Sequence, residues 1–322
     1  MTTTESLMGA PAPTPPVSGG IDARGVRRRF GSIEAIRGMD LAAHPGRVTA
    51  LVGPNGAGKT TLLLILATLL VPDEGTVRIA GYDPVTQPDD VRARMGWSPD
   101  VFGLYEGLTS REYLEFFAAA YRLPTGERTA RARELLALAR LEEYADQPVH
   151  VLSRGQKQRL GLMRALVHRP EVLLLDEPAA GLDPRSRVEL RELLRGLAAD
   201  GAAVLVSSHV LSDLEELADD VVFVDHGHTV GHHSVSNLPR AVALRQWRLR
   251  SLDEAALVTA LAGLGVAHSP PGPAGIDVQV GLDTEAAGLL AALVRADVPV
   301  VSFQPVGGAL EQTFLELTGE RS

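Results

Sequence analysis

One short stretch, GPNGAGKT at 53–60, restricts the possible folds of this chain more than any other. It matches the pattern G-x-x-x-x-G-K-[ST] and lies between an apolar run at 47–53 and a helical pattern. In that context glycines let backbone amides face phosphate oxygens, a helix N-terminus adds partial positive charge, and the lysine supplies a full one. The alternative is a glycine-rich turn with a surface lysine. We predict a phosphate-binding loop formed by Gly53, Pro54, Asn55, Gly56, Ala57, Gly58, Lys59, Thr60 and Thr61.

Three further runs resemble the apolar segment at 47–53: EVLLLDE (171–177), AAVLVSSH (202–209) and DVVFVDH (220–226). Short apolar runs alternating with helical segments are typical of a parallel sheet covered on both faces. From about 100 to 170 the sequence changes to nearly pure helical patterns, including a capping box, TSRE, at 109–112. We therefore predict an α/β sheet domain over 21–240 with a helical subdomain inserted at about 100–170.

The two ends of the chain differ in character. Residues 1–20 have neither a basic start nor an apolar run, so they predict a flexible Pro/Ala/Thr tail rather than a signal peptide. Residues 241–322 predict a small α+β accessory domain whose order resembles a ferredoxin-like split βαβ unit. Its expected strands are 244–250, a short one near 266–268, 276–280 and 298–304, and its expected helices are 253–264, 284–295 and 308–317.

Composition excludes several classes of protein. The formal net charge of −9 argues against a dedicated nucleic-acid binder, which usually carries a basic domain. The absence of cysteine excludes disulfides and cysteine-based zinc sites. The longest apolar run, LLLILATLLV at 62–71, is too short to span a bilayer and predicts a buried helix.

Two carboxylates end the predicted strand VLLLDEP. Because ligands bind at the carboxyl ends of the strands in open α/β sheets, Asp176 and Glu177 are candidates for the phosphate site. Asp176 is expected to hold Mg²⁺ through water, and Glu177 to polarise the attacking water. His209, at the end of the next strand, is expected to reach the γ-phosphate. The alternatives are a strand end with solvated acids and a structural histidine.

The segment LSRGQKQ at 152–158 contains a second capping box, Ser153 to Gln156. A Ser-x-x-Gln pattern ahead of apolar residues at helical spacing predicts the start of a helix. That reading needs no ligand. The same helix end could also bind an anion, since its first amides point outwards.

The motifs GPNGAGKT, LSRGQ, VLLLDEP, GLD (181–183) and SSH, in this order, resemble the nucleotide-binding subunit of an ATP-binding cassette (ABC) transporter over about 21–235. The resemblance implies ATP and Mg²⁺ as cofactors and Lys59, Glu177 and His209 as catalytic residues. Thr60, Asp100 and Asp176 would contact the metal. It also implies a dimer in which the LSRGQ helix of one subunit faces the ATP held by the other.

In that arrangement the Ser153 hydroxyl and the Gly155 amide approach the γ-phosphate, with Gln156 beside them. Phe30 matches the aromatic residue that stacks on adenine; the alternative is an ordinary strand aromatic. Asp183 matches the acid that communicates across the dimer. Whether the second ATPase subunit is an identical chain is left open.

Two positions depart from the family pattern. Asp100 stands where glutamine is usual, and since a carboxylate is an equally hard ligand we expect metal contact to survive while the charge balance changes. We expect Asn or Gln at this position to retain ATPase activity and Ala to lose substrate-coupled stimulation. Arg154 stands where glycine is usual and is expected to contribute to dimer closure or to γ-phosphate attraction.

The resemblance implies an ATPase that powers export through a separate membrane permease, on the cytoplasmic face of the membrane. The segment 101–112 is the expected permease contact, and GGALEQTFLELTG near the C-terminus resembles the extension of subunits that pair with drug- or polysaccharide-exporting permeases. Two alternatives are a soluble ABC ATPase acting on ribosomes or nucleic acid, and a regulatory nucleotide-binding module without turnover. No nucleic-acid partner is expected.

Four histidines lie close together in DHGHTVGHH: His226, His228, His232 and His233. Imidazoles favour zinc, nickel or copper, so a metal site is one interpretation. The other is a hairpin with solvated histidines that ends the sheet domain, and the lack of an evident set of fixed partner ligands favours it.

Overall fold

The computed structural model describes residues 19–100, 103–105, 107–237, 245–280, 283–306 and 309–318. The chain divides into two compact units, Met1–Val235 and Ser236–Ser322. The predicted tail lies outside the described residues except for Gly19 and Gly20. Within the described ranges, no helix is both long and apolar enough to cross a membrane.

The larger unit contains two sheets. Its strands are β1 (Ile21–Phe30), β2 (Ile33–Ala43), β3 (Val48–Val52), β4 (Glu74–Ile79), β5 (Met95–Ser98), β6 (Val172–Asp176), β7 (Ala203–Ser208), β8 (Asp220–Asp225) and β9 (His228–Ser234). One sheet has the order β5-β6-β7-β3-β8-β9 and is parallel except for β9, while the other has the antiparallel order β2-β1-β4. The four predicted buried strands are β3, β6, β7 and β8, each within two residues of its expected ends.

Burial explains why these runs form central strands. Every residue of β3, β6 and β7 is buried, as parallel strands covered on both faces require. Aliphatic side chains from β3, β6 and β7 join those of the antiparallel sheet and of the helix after β3 in one apolar cluster. This packed layer fixes the carboxyl ends of the strands, where the predicted site residues lie.

The helices of the larger unit are α1 (Lys59–Leu66), α2 (Pro88–Arg94), α3 (Ser110–Ala120), α4 (Thr125–Leu138), α5 (Arg154–Ala165), α6 (Pro184–Ala199) and α7 (Leu211–Glu215). Both predicted capping boxes are present, with Thr109 and Glu112 starting α3 and Ser153 and Gln156 starting α5. Between β5 and β6 the described chain forms only helices, short 3-10 turns and loops. Strand β6 thus continues the sheet after a helical insertion.

One expectation was wrong. The run 62–71 does not form a single buried helix, because α1 ends at Leu66 and Thr68 takes a left-handed conformation with φ 62°. Leu69 and Val71 are more than half exposed, at 59% and 55%. The apolar run therefore combines a buried helix with a short surface segment. Because all of its residues but one are apolar, the sequence did not indicate where the helix ends.

The smaller unit is an antiparallel sheet with helices. Its elements are β10 (Arg245–Ser251), α8 (Glu254–Gly263), β11 (Ile276–Val280), α9 (Asp283–Arg295), β12 (Val300–Pro305) and α10 (Ala309–Thr318). The sheet order is β11-β10-β12, and both pairs are antiparallel. The short strand expected near 266–268 is reduced to one antiparallel bridge between His268 and Val278, on the side of β11 away from β10.

Candidate nucleotide site

Three adjacent strands bring the predicted site residues to one edge of the parallel sheet. The order β6-β7-β3 places the phosphate loop after β3 beside the end of β7 and, one strand further, the end of β6. Asp176 ends β6 opposite Ser207 of β7, and Val52 ends β3 opposite Ser208. Residues far apart in sequence therefore converge here because parallel strands present their carboxyl ends at the same edge.

The phosphate loop is shaped by close backbone packing as well as by turns. A Cβ on Gly53 would lie 2.1 Å from the carbonyl oxygen of Val224, so only glycine fits between β3 and β8. Gly58 has φ 98°, and a Cβ there would lie 2.7 Å from the carbonyl oxygen of Ala35. Gly56, by contrast, faces open space with φ 85°. The loop is thus packed at both ends and open in the middle, where Pro54 and Asn55 are also exposed.

Lys59 lies at the centre of this loop. Its ammonium donates to the carbonyl oxygens of Gly53 at 2.6 Å and Pro54 at 3.1 Å. Burial lowers the pKa of Lys59, and the carboxylates of Glu177 and Asp176 act in the opposite direction. Helix α1 starts here without a side-chain cap, so its first amides have no side-chain acceptor. An open loop, an uncapped helix start and a lysine suit a phosphate.

The residues predicted to contact a cation are oxygen donors. Thr60 is exposed at the second position of α1, and Asp100 is exposed two residues after β5. The described residues contain no group of three or more His, Cys, Asp or Glu able to hold a metal ion by itself. This donor set fits Mg²⁺, which proteins usually bind through one or two carboxylates together with substrate phosphates.

Ser207 holds the Asp176 carboxylate and the Glu177 backbone, and sequence reasoning missed it. Its hydroxyl donates to Asp176 Oδ1 at 2.5 Å, and the Glu177 amide donates to the Ser207 Oγ and carbonyl oxygen, both at 3.2 Å. Glu177 has φ 48°, a conformation that costs a non-glycine residue about 1 kcal/mol or more. Ser207 stabilises that turn. The signal available in the sequence was a pair of serines inside an otherwise apolar strand.

Glu177 and His209 form a direct pair. The His209 Nδ1 lies 2.8 Å from Glu177 Oε1, and because an ionised carboxylate only accepts, the imidazole donates. The Glu177 side chain is 18% exposed and that of His209 is 55% exposed. A carboxylate oriented by a histidine, in reach of water and beside the phosphate loop, is arranged as a general base requires.

The start of α5 is exposed and its polar groups are already satisfied within the chain. The Ser153 amide donates to Gln156 Oε1 at 2.8 Å, and the Gln156 amide donates to Ser153 Oγ at 3.3 Å. A hydroxyl that accepts one hydrogen bond keeps its own proton for another acceptor. Gly155 follows in the first turn, partly exposed. The helix start predicted here is therefore present with its capping box, and its use as an anion site stays a prediction.

Asp183 caps the next helix, α6. Its Oδ1 accepts from the Ser186 amide at 3.1 Å and its Oδ2 from the Ser186 hydroxyl at 2.6 Å. These hydrogen bonds hold the pKa of Asp183 below its usual value. The carboxylate is exposed, so it remains charged and accessible at the same time.

Phe30 ends β1 with its side chain partly accessible, at 44% exposed. The Arg28 guanidinium lies over its ring, 4.9 Å from the centroid, and Asp73 holds Arg28 at 2.7 Å. The other face of the ring is suited to stacking on a planar group.

The four histidines belong to the β8–β9 hairpin, as one interpretation predicted. His226 and His228 are exposed, whereas His232 and His233 are only partly exposed. Burial lowers the pKa of both, and the His233 ring lies 6.0 Å from that of Phe223. Because successive side chains of a strand point to opposite faces, these two neighbouring histidines lie on different faces of β9.

Comparisons with known proteins give this arrangement a family. Residues 36–180 match the family described as ABC transporter. The daunorubicin/doxorubicin resistance ATP-binding protein DrrA of Streptomyces peucetius is 33% identical over 304 residues, covering 93% of this chain and 92% of that protein. The Nod factor export ATP-binding protein I of Ralstonia nicotianae is 36% identical, covering 65% of each.

Solved structures agree. An ATP-binding subunit of an ABC transporter has a TM-score of 0.64 at 29% identity, covering 68% of this chain and 92% of that one. A dimeric ATP-binding cassette, MJ0796, in a post-hydrolysis state bound to ADP and Pi, has a TM-score of 0.61 at 28% identity, covering 67% and 98%. The larger unit therefore has the mixed α/β fold of ABC ATPases, and the ribosomal, nucleic-acid and regulatory alternatives are not favoured. The chain belongs to the ABC transporter family as an ATP-binding, ATP-hydrolysing subunit of the export type.

Proposed function

We propose that this chain hydrolyses ATP in composite sites formed with a second ATPase subunit, and that the reaction drives export through a separate membrane permease. The observation that carries the proposal is the convergence of Lys59, the Asp176–Glu177 pair and His209 at the ends of three adjacent strands. The open phosphate loop beside them is where ATP would bind.

The phosphate loop would bind the phosphates of ATP. The amides of residues 55–58 and of the first turn of α1, through Thr61, would hold the β- and γ-phosphates, with Lys59 moving from its loop carbonyls to the phosphate oxygens. Thr60, Asp176 and Asp100 would hold Mg²⁺, which when bound neutralises phosphate charge. Phe30 would stack on the base, and Asp100 would keep metal contact despite replacing an amide.

Glu177 would act as the base. Its carboxylate accepts a hydrogen bond from the attacking water, and His209 holds that carboxylate in place at 2.8 Å. His209 is exposed enough to reach the γ-phosphate as well. Ser207 fixes the backbone from which both act.

The second subunit would supply the other wall of each site. The Ser153 hydroxyl and Gly155 amide, with Gln156 holding the cap, would donate to the γ-phosphate bound by the partner chain. Asp183, charged and exposed, would communicate between the two sites. Isologous pairing then creates two equivalent sites from two incomplete ones.

The permease and the accessory unit complete the proposal. The segment 101–112 would contact the permease at the cytoplasmic face of the membrane; three of its residues lie outside the described ones. We infer a ferredoxin-like accessory domain over 241–322. Its support is the antiparallel order β11-β10-β12, extended by the His268–Val278 bridge beyond β11.

The Glu177→Gln variant tests the chemistry. Because general-base catalysis contributes about 10²–10⁴-fold, ATP turnover should fall by that factor while ATP binding is retained and ATP-dependent dimers accumulate. Glu171→Gln is the matched control, since Glu171 is an exposed carboxylate next to the opposite end of β6. Undiminished turnover in Glu177→Gln would refute the assignment.

A further inference from the structure

Arg154 lies directly on the loop that joins two site residues of its own chain. A Cβ built on Gly181 would lie 2.9 Å from Arg154 Cζ, 3.1 Å from Nε and 3.2 Å from Nη2. The guanidinium therefore occupies the space beside Gly181 that any larger residue would need. Next to it, a Cβ on Gly155 would lie 3.6 Å from Leu182 Cδ2, so the first turn of α5 packs on two successive residues of the loop.

The loop that Arg154 contacts, residues 177–183, is a series of hydrogen-bonded turns. The Ala180 amide donates to the Glu177 carbonyl oxygen at 3.0 Å, and the Leu182 amide to that of Ala179 at 3.2 Å. Arg187 Nε then donates to the Leu182 carbonyl oxygen at 3.2 Å. The loop starts at the strained Glu177 and ends at the capping Asp183. A displacement of the Gly181 backbone would therefore shift both of these residues.

We propose that Arg154 is a positioning residue that couples the two ATP sites of the dimer. This inference rests on the proposed function, in which the first turn of α5 serves the partner's ATP while Glu177 serves the chain's own ATP. Closure of α5 on the partner's nucleotide presses Arg154 on Gly181 and sets the Glu177 turn in the same chain. Arg154 thus acts through the loop rather than by attracting phosphate.

The shape of the side chain supports this reading. A guanidinium is planar and rigid, so it can lie flat against a glycine backbone, whereas an ammonium on a flexible stem cannot. Three guanidinium atoms lie at similar distances, 2.9 to 3.2 Å, from the Cβ position of Gly181, which has φ 71°. Phosphate attraction, in contrast, would need only a positive charge near the start of the helix.

A double-mutant cycle tests the contact in the full-length chain. Gly181→Ala alone places a methyl group against the guanidinium and should lower ATP turnover, whereas in the Arg154→Gly background that collision is gone. We expect the effects to be non-additive by at least about threefold in turnover. Gly201→Ala is the matched control for backbone strain, because Gly201 has φ 102° with no neighbour within 4 Å of its Cβ position. Additive effects would overturn the proposal.

The dependence of turnover on ATP concentration tests the coupling. The wild-type chain should be cooperative, and Arg154→Gly should lower the Hill coefficient towards 1 while ATP-dependent dimers still form. Arg154→Lys should behave like Arg154→Gly; restoration by lysine would favour phosphate attraction and overturn the inference, as would unchanged cooperativity in Arg154→Gly or a non-cooperative wild type. Failure of the proposed function would look different, since the wild-type chain would then neither dimerise with ATP nor turn it over.

Discussion

The two halves of the candidate site differ in how far a single chain completes them. In the half built on β3, β6 and β7, Lys59 is 7% exposed and Asp176 5% exposed, and both are hydrogen-bonded inside the sheet edge. In the half built on the starts of α5 and α6, Ser153 and Asp183 are exposed, and each satisfies only its own helix.

This difference indicates that the two halves of the site have different roles. Buried charges must be paired within the chain, because desolvation without a partner is costly. Exposed caps need no further partner for folding, so their outward donors and charges are available to another molecule. We therefore propose that the buried half binds the chain's own nucleotide and that the exposed half serves the nucleotide of a second subunit.

The largest effect is expected in the buried half. Lys59→Met removes the ammonium while keeping a long side chain, and should weaken ATP binding by about 10- to 100-fold, the value of one or two charge-assisted hydrogen bonds. Titration of the full-length chain with a fluorescent ATP analogue measures this. Lys157→Met is the control in the exposed half, and equal losses in the two variants would remove the distinction between the halves.

Variants in the exposed half should change the free energy of unfolding and the rate of ATP turnover independently. Ser153→Ala and Thr109→Ala each remove one capping box, and each should cost about 1 kcal/mol of unfolding free energy. Only Ser153→Ala should lower ATP turnover, measured without permease, by several-fold.

Ser153→Asp sharpens this test. Aspartate preserves the cap but places a negative charge before the γ-phosphate, so turnover should fall at least about tenfold with no loss of stability. Equal turnover in Ser153→Asp and the wild type would show that this helix end has a structural function alone.

The last effect concerns stability alone, at the partly buried His168 just after α5. His168 stacks on Tyr121 at 3.7 Å between ring centroids, and its Nε2 bonds the Met95 carbonyl oxygen at 3.1 Å while Nδ1 is buried without a partner among the described residues. Burial lowers its pKa to about 4, against an ordinary value of 6.5.

The unfolded chain therefore binds a proton at His168 before the folded chain does. Its contribution to stability is fully present above pH 6.5 and is lost as pH falls from 6.5 to about 4, by at most about 3 kcal/mol. Urea denaturation at pH 7.5 and 5 should show a smaller pH dependence in His168→Gln, which keeps an N–H donor and does not titrate. His226→Gln, at an exposed turn, is the matched control.

Patterns of local chemistry predicted much of this molecule. Apolar runs located the buried strands, and the Ser-x-x-Gln and Thr-x-x-Glu patterns located the starts of α5 and α3, because capping depends on residues three apart. The contiguous pattern GPNGAGKT likewise located the loop between β3 and α1.

Contacts between distant segments could not be read in this way. Gly53 is required by the approach of Val224, and Ser207 orients Asp176 from a neighbouring strand. Arg154 looked like a charge beside phosphate, but its guanidinium lies on Gly181, a residue in another loop. Each depends on how strands and loops pack together, which no local spacing encodes.

The central claim is that Ser153 of one chain completes the site whose Lys59 belongs to another, and mixing two inactive variants tests it most directly. Ser153→Asp keeps an intact phosphate loop, and Lys59→Met keeps an intact α5 start, so a dimer of the two contains one complete site. We predict that ATP turnover of the mixture rises above that of either variant alone, to at most about a quarter of wild type for random pairing. Coupling through Arg154 lowers this value, because the second site of each mixed dimer stays open. A mixture as inactive as its components, under conditions where the wild-type chain turns over ATP, would contradict the account.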